Sequence, residues 1–427
     1  MNLTPSILAL WILLAGVVAA QEQSTGKGVS QATNSKMLSV EWSALIGQRQ
    51  PWGQVFDTSL NEALSIGTYA LTLSEWRPIA EQGSAWAQFS LGWMYLNGRG
   101  VQQDYDEAAR WYRLAALQGH ARAQNSLGTM YLSGTGVAQD DVEAVRWFRL
   151  AAEQEFASAQ NSLGWMYHMG RGVPQDYVKA LQLYRLAAER GNAFAQTNLG
   201  EMFRFGHGLP RHDSAEAVRW YRRAAQQGYA RAQWRLGIAY EKGWGVSKDE
   251  IEAARWYRLA ADQGYPNAQV SLGTAYREGI GVARDTDQAV HWYRLAAEQG
   301  DLSAQFFLGW MYHWGEGVLR DYAEAIHWYR LAAVQGEELS QYELAKIYLS
   351  GRGIPQDKIT AYMWSNISAA NGNPHAAERL IELEKEMSSK DVFAAQARAR
   401  ICLQSGYADC DNQKDDAFPD GSGKRSQ

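Results

Sequence analysis

Residues 85–120 read AWAQFSLGWMYLNGRGVQQDYDEAARWYRLAALQGH, and residues 121–156 repeat most of this pattern as ARAQNSLGTMYLSGTGVAQDDVEAVRWFRLAAEQEF. The dipeptide Ala-Gln recurs every 36 residues, and once after 37, so that its glutamine falls at positions 88, 124, 160, 196, 233, 269 and 305. Gln341 continues the series as a weaker eighth copy. A fixed period of this length indicates an array of stacked structural repeats rather than separate globular domains.

Each copy has the pattern of two helices joined by a turn. In the first copy, the repeated residues that start at Ala87 recur at i+1, i+4, i+5 and i+8, which is one face of an α-helix. Gly98 and Gly100 can adopt positive φ, which ends that helix and turns the chain. Asp104, with Glu107 three residues later, is an acidic variant of a capping box, and six of the eight copies carry this variant. The pattern therefore predicts a helical hairpin in every copy.

The second helix of each copy is predicted to bury a large aromatic residue. We expect burial of the tryptophans at positions 111, 147, 220, 256, 292, 328 and 364. Truncating a buried aromatic side chain costs about 3–5 kcal/mol. Glu155 stands where the first copy has Gly119, so its helix must end without glycine or accept about 1–2 kcal/mol of left-handed strain.

The motifs Ala-x-Ala-Gln-x-x-Leu-Gly-x-Met-Tyr, Gly-x-Gly-Val-x-x-Asp and Ala-x-x-Trp-Tyr-Arg-x-Ala-Ala-x-x-Gly resemble Sel1-like repeats, which are relatives of tetratricopeptide repeats. The resemblance covers about two-thirds of the chain, from Ala85 to Asn373. It implies an all-α, superhelical solenoid of about eight helical hairpins with helical caps, and an adaptor or scaffold role.

The ends of the chain differ in composition from the repeats. The 14-residue apolar run from Ile7 to Ala20 is too short to span a bilayer comfortably and predicts a cleaved signal peptide, with an uncleaved N-terminal anchor as the alternative. No later segment is long and apolar enough to cross a membrane. The predicted organisation is a signal peptide at 1–20, a flexible leader at 21–56, an N-terminal capping hairpin at 57–84, the repeats at 85–373, C-terminal capping helices at 374–410 and a polar tail at 411–427.

Export predicts a periplasmic protein if the source is bacterial and a secreted one otherwise. An oxidising compartment allows Cys402 and Cys410 to form a disulfide. Two cysteines cannot supply a zinc site with four cysteine ligands. His291 and His327 occupy positions held by arginine in other copies, so we read them as part of a solvated ridge rather than a metal site. No cofactor or metal is predicted.

Charge and motif content exclude several classes of function. With 41 Lys and Arg against 46 Asp and Glu, the net charge is −5, which argues against nucleic acid as a partner. The chain contains no Gly-x-Ser-x-Gly, His-Glu-x-x-His or P-loop motif, so no catalytic residue is assigned.

A second group of aromatic residues lies on the first helices, outside the repeated core positions. The position of Trp93 is held in the other copies by Thr129, Trp165, Glu201, Ile238, Thr274, Trp310 and Lys346. Such variation argues against a common core contact, and the resemblance implies that this helix face lines a concave groove. We predict partner binding by an N-terminal aromatic patch (Trp86, Phe89, Trp93), a C-terminal aromatic patch (Phe306, Trp310, His313, Trp314, Tyr342), and the additional residues Trp165 and Trp234. Glu201, Arg204, Arg277 and Glu278 form a predicted charged stretch between the patches.

The sequence thus predicts an exported, non-enzymatic adaptor that binds a protein or peptide. Three alternatives remain at this stage. The aromatic side chains pack on one another or on the leader; the groove binds cell-wall glycan; or the chain binds or hydrolyses β-lactams, as the resemblance to cysteine-rich relatives suggests. This chain lacks the cysteine pair that those relatives carry in each repeat.

Overall fold

The computed structural model describes residues 69–408 and residue 410. The predicted signal peptide, the leader, the part of the N-terminal cap before Tyr69 and the polar tail lie outside these residues. The described chain divides into two compact units, the first ending at Asp249 and the second beginning at Glu250. Nineteen helices are described: α1 Tyr69–Glu81, α2 Ala85–Asn97, α3 Tyr105–Leu117, α4 Ala121–Ser133, α5 Asp141–Glu153, α6 Ala157–Met169, α7 Tyr177–Glu189, α8 Ala193–Phe205, α9 Ser214–Gln226, α10 Ala230–Lys242, α11 Glu250–Ala261, α12 Pro266–Glu278, α13 Thr286–Glu298, α14 Leu302–Trp314, α15 Tyr322–Ala333, α16 Glu338–Ser350, α17 Lys358–Ala370, α18 Pro374–Glu386 and α19 Ser389–Gln404.

The even-numbered helices α2 to α16 are the first helices of the eight copies, and the odd-numbered helices α3 to α17 are the second helices. The predicted turn residues do what the sequence indicates: α2 ends at Gly98, whose φ is 63°, and the Asp104 carboxylate accepts hydrogen bonds from the backbone of Asp106 and Glu107. Equivalent aspartates cap six of the other second helices, at positions 140, 176, 213, 285, 321 and 357. Within each unit, the consecutive helices up to α18 pack together, each against the one before it. The predicted all-α array of about eight hairpins is confirmed.

The core is built from alanines, leucines and the Trp-Tyr pair of each second helix. Tyr112 is as deeply buried as Trp111, and the absence of a side chain at Gly92 makes room for it, because a Cβ there would lie 2.6 Å from the Tyr112 ring. Five of the seven predicted core tryptophans are buried, but Trp256 and Trp328 are partly exposed. The expectation of burial was wrong for these two, where the adjacent tyrosine is the buried ring.

The second glycine of each turn has a role that the sequence did not reveal. A Cβ at Gly172 would lie 2.2 Å from the backbone oxygen of Asp141, at the start of the preceding second helix. The turn of one copy thus packs directly on the backbone of the copy before it. A side chain at this position would separate neighbouring copies.

The glutamine of the Ala-Gln dipeptide is buried and joins two second helices. In α4, the Gln124 amide nitrogen donates to the backbone oxygen of Ala116, 3.1 Å away. The Gln124 side-chain oxygen accepts from Gln154, at the end of α5, at 2.7 Å. Equivalent pairs of bonds occur at Gln88, Gln196, Gln269, Gln305 and Gln341.

The third copy departs from this arrangement. Arg190 replaces the donor glutamine and pairs with Glu155 at 2.9 Å. The buried Gln160 side-chain oxygen has no hydrogen-bond partner among the described residues. Glu155 itself has a φ of 60°, so its helix ends in the left-handed conformation without glycine.

The C-terminal helices α18 and α19 both pack against α17. The Ser388 hydroxyl caps α19 by accepting from the backbone of Asp391. Cys402 and Cys410 are joined by a disulfide, with their Cα atoms 4.4 Å apart. Across residues 69–408, no helix has both the length and the apolar character that crossing a bilayer requires.

We predict that the double variant Glu155→Gly/Arg190→Gln is more stable than the wild type. Glycine relieves the left-handed strain at position 155, and glutamine at position 190 can donate to the Gln160 oxygen, together about 1–2 kcal/mol. The lost Glu155–Arg190 pair contributes little, because the Glu155 side chain is 73% exposed. The free energy of unfolding is measured by urea denaturation.

The matched control introduces the same two residue types one copy earlier, as Gly119→Glu/Gln154→Arg. This variant should lose stability by a similar amount, since Gly119 has a φ of 85° and Gln154 donates to Gln124. A Glu155→Gly/Arg190→Gln variant that is less stable than the wild type contradicts our account of the glutamine pairs.

Candidate functional site

The structure brings the N-terminal aromatic patch together on α2. Trp86 is 36% exposed, and its ring lies 4.6 Å from that of Trp76 in the capping helix α1. Phe89 stacks on His120 at 4.9 Å, and Trp93 packs against the cores on both sides of α2. The patch is therefore partly buried and held by neighbouring helices. Its rings are pre-organised, with Trp86 the most exposed.

The C-terminal aromatic patch lies on α14 and α16. Trp314 is 53% exposed and stacks on His313, with 4.8 Å between ring centroids and an interplanar angle of 9°. Phe306 and Trp310 are partly buried against the core of the second unit. Tyr342 is also partly buried, with the Lys346 ammonium 5.2 Å from its ring centroid. Trp314 is thus the most exposed ring of this patch.

Two of the predicted contact residues are buried, which corrects the expectation that they face a partner. His313 is 4% exposed beneath Trp314, and Trp234 is 9% exposed with the Arg235 guanidinium 4.5 Å from its ring centroid. Trp165 is partly buried, and the Arg171 guanidinium lies 5.6 Å from its ring. The rings at these positions contribute mainly to packing inside the protein.

Glu201 shows why variation between copies did not establish exposure. Its carboxylate is buried, with Arg235 Nε 2.5 Å from Oε1 and Arg204 Nε 3.5 Å from Oε2. A buried charge is tolerated when an opposite charge lies beside it, and Arg235 of the next copy provides that charge here. Glu201 and Arg204 belong to the first unit, whereas Arg277 and Glu278 belong to the second. The predicted charged stretch is therefore described as two separate pairs.

The sequence analysis missed Arg235, Glu343 and Tyr221. The first two occupy one equivalent position on the first helices, which reads Ser90, Ser126, Ser162, Asn198, Arg235, Ser271, Phe307 and Glu343 along the copies. At Ser126 the serine hydrogen bonds to the buried tyrosine of the preceding second helix, Tyr112. At Arg235 this relation is broken, and the Tyr221 hydroxyl has no hydrogen-bond partner among the described residues. The change from serine to a charged residue was the available signal.

His168 occupies the same helix position as His313 and is surrounded by aromatic rings. The ring centroids of Tyr177 and His207 lie 5.3 and 5.5 Å from that of His168. The pKa of His168 is lowered to about 4, mainly by burial and also by the positive charges of His207 and Arg231, against the opposing effect of Glu201. Burial likewise lowers the pKa of His313 to about 4, with a contribution from Lys346. Both imidazoles are therefore neutral at pH 7.

The described residues contain no group of three or more His, Cys, Asp or Glu side chains placed to hold a metal ion. His291 and His327 are exposed, each against the ring of the tryptophan that follows it. The chemistry that the site offers is aromatic contact and charge pairing.

We predict that the neutral state of His168 makes the stability of the first unit depend on pH. Its folded pKa of about 4 lies below the ordinary value of 6.5, so the unfolded chain binds the proton more readily. The contribution of neutral His168 to the free energy of unfolding is complete above pH 6.5 and is lost as the pH falls towards 4. At pH 5 the wild type should lose about 1–2 kcal/mol relative to pH 7 from this residue. His168→Phe, which keeps a ring, should lose less, as measured by urea denaturation at the two pH values.

Equal losses in the wild type and in His168→Phe would mean that His168 is not the responsible group. His207, whose pKa is also lowered by burial, is tested in the same way with His207→Phe.

Comparison with known proteins agrees with this geometry. The Sel1 repeat model matches residues 87–120, 121–156, 157–192, 193–229, 230–265, 266–301, 302–337 and 339–373. The chain is similar to the crystal structure of a Sel1 repeat protein from Oxalobacter formigenes, at 33% identity and a TM-score of 0.55, over 86% of this chain and 99% of that chain. It is also similar to c5321, a protective antigen of uropathogenic Escherichia coli strains with an SLR fold, at 30% identity and a TM-score of 0.41, over 92% of this chain and all of that chain. No curated relative matches the chain. Because the matched repeats make up more than half of its length, the chain belongs to the Sel1 repeat family.

Proposed function

We propose that the protein is an exported, non-enzymatic adaptor that binds a protein or peptide partner along the variable faces of its first helices. The observation that carries this proposal is the exposure of Trp86 and Trp314, at 36% and 53%, beside partly buried aromatic neighbours. Sel1 repeat solenoids are typical scaffolds for protein–protein interaction and are generally non-catalytic.

The packing of the two patches favours binding over a purely structural role. Trp314 rests flat on the buried His313 ring, and Trp86 rests on Trp76. A tryptophan held in this way loses little conformational entropy when it is covered, because its orientation is already restricted. Rigid, partly exposed aromatic side chains are the usual anchors of protein interfaces.

Export is supported by the apolar run Ile7 to Ala20 and by the Cys402–Cys410 disulfide. Disulfides persist in oxidising compartments, and few cytosolic proteins keep them. We expect mass spectrometry of the protein recovered from its native compartment to find an N-terminus at Gln21. An intact Met1 on the mature protein contradicts cleavage and favours the membrane anchor.

We predict that Trp86→Ala and Trp314→Ala reduce partner recovery by about tenfold or more in a quantitative pull-down, the range expected for interface anchors. Trp314→Ala should keep a melting temperature close to that of the wild type, since the ring is 53% exposed, whereas Trp86→Ala removes a partly covered ring and should lower it slightly. The matched control is Phe393→Ala, which removes a 71% exposed ring on α19 outside the patches. It should leave recovery unchanged.

Trp364→Ala serves as the stability reference, because Trp364 is fully buried and its loss should cost about 3–5 kcal/mol. If the two patch variants lose as much stability as Trp364→Ala, the patches belong to the core and the proposal fails.

The glycan alternative is tested by measuring how much of the wild type and of the same variants is retained on insoluble peptidoglycan. Nitrocefin turnover by the wild type tests the β-lactam alternative.

A further inference from the structure

The turns that follow α14 and α16 carry exposed apolar and basic side chains within the second unit. Trp314, the last residue of α14, is 53% exposed, and Leu319 in the turn after it is 92% exposed. Arg320 of the same turn and Arg352 of the turn after α16 are also exposed. We call these four residues the turn surface.

The turn after α14 folds back so that Arg320 lies next to the end of that helix. A Cβ at Gly315, the residue directly after Trp314, would lie only 3.1 Å from the Cβ of Arg320. The Arg320 side chain therefore starts beside the exposed tryptophan.

The turn after α16 packs on the same region. A Cβ at Gly353, the residue directly after Arg352, would lie 2.6 Å from the Cβ of Tyr322. The Tyr322 ring lies 5.5 Å from the ring of His313, and Trp314 stacks on His313. The two turns thus meet around the base of the exposed tryptophan.

The charges of both arginines reach that base. The pKa of His313 is lowered mainly by burial and also by the positive charges of Lys346, Arg352 and Arg320. Charges act on a titrating group in this way only at short range. Trp314 therefore rests on a ring that is surrounded by cations.

Arg320 is released from a bond that most copies make at its position. In five other copies the equivalent residue donates to the backbone oxygen seven residues earlier, as Gln103 does to Leu96 and Arg284 to Arg277. Arg320 makes no hydrogen bond to the described residues, and its contact is with the Tyr322 ring, 6.0 Å from the guanidinium. Its N–H donors remain available.

Neither arginine of the turn surface is paired within the protein. Among the described residues, no carboxylate lies within ion-pair distance of Arg320 or Arg352. The carboxylates of this region already have other partners: Glu316 with Arg284, Glu343 with Lys346, and Asp321 with the backbone at the start of α15. Two exposed guanidinium groups are left beside two exposed apolar side chains.

We propose that the turn surface binds a segment of the protein partner in which carboxylates stand next to an apolar side chain. This inference rests on the proposed adaptor function and specifies the chemistry of the segment bound at Trp314. The apolar side chain covers Trp314 and Leu319, and the carboxylates pair with Arg320 and Arg352, whose planar donors match a carboxylate. The chain as a whole has a net charge of −5, so this attraction is local.

The test selects phage-displayed random dodecapeptides on the full wild-type chain, after removal of peptides that the Trp314→Ala variant also retains. We expect Asp and Glu to be enriched over the unselected library, next to Leu, Phe or Trp. A neutral or basic consensus overturns the inference, as does a selection that yields no peptide dependent on Trp314.

Fluorescence anisotropy then measures the dissociation constant of the most enriched peptide. Arg320→Gln and Arg352→Gln should each weaken binding by about twofold to fivefold, the range for an exposed ion pair, and Trp314→Ala by about tenfold or more. The matched control Arg255→Gln removes an equal charge from a side chain that is 72% exposed on α11, outside the turn surface, and should leave the affinity unchanged. Circular dichroism verifies that each variant is folded.

Unchanged affinity in both arginine variants of the turn surface contradicts the inference, and so does equal weakening by Arg255→Gln. Displacement of the peptide by oligothymidylate, with binding that depends on Arg320 and Trp314, would assign the surface to nucleic acid instead. Partner recovery distinguishes these results from failure of the adaptor function. If Trp314→Ala loses the partner and Arg320→Gln/Arg352→Gln retains it fully, the acidic segment is wrong and the adaptor function stands.

Discussion

The structure depends on a buried amide that must be hydrogen bonded. Each glutamine such as Gln124 lies where water cannot reach it, so its donor and its acceptor both need partners within the protein. The amide nitrogen of Gln124 donates to a backbone oxygen of the preceding second helix. Its side-chain oxygen accepts from Gln154, at the end of the second helix of its own copy. One side chain therefore joins three helices from two successive copies. The period of the glutamine is the most regular feature of the sequence because displacing it would leave several buried polar groups unpaired.

This constraint divides each first helix into two kinds of positions. Gln124 and its equivalents are constant in all eight copies and Gly128 in seven, since one completes the hydrogen bonds and the other admits a ring of the second helix. Leu127 between them is also constant and buried, whereas the positions of Asn125, Ser126 and Thr129 change from copy to copy. Local departures also appear within the constant set, as at Glu155 and Arg190, where two substitutions occur together and form an ion pair.

Much of the fold could be predicted from the sequence because helix ends have local causes. Aspartate caps and left-handed glycines act on residues three or four positions away, so the bounds of α2 and α3 follow from short motifs. Burial of the variable positions has no such local cause. Glu201 is buried because Arg235, in the next copy, provides its counter-charge, and Trp234 is buried beside that same arginine. When a position varies between copies, its neighbours in the structure differ from copy to copy. Such variation does not show that the position is exposed.

The position of Arg235 illustrates how such a fold acquires specificity. Serine at this position satisfies the hydroxyl of the preceding buried tyrosine and leaves the surface neutral, as Ser126 does for Tyr112. Arg235 does not make that bond and introduces a positive charge. Glu343, at the equivalent position of the eighth copy, introduces a negative charge, and its carboxylate lies 3.8 Å from His313. In both places the tyrosine hydroxyl, of Tyr221 and of Tyr329, is left without a partner among the described residues. Packing alone favours a residue that bonds to the buried hydroxyl, so the two charged residues indicate a different use of this position, namely the pairing of Arg235 with Glu201 and of Glu343 with Lys346.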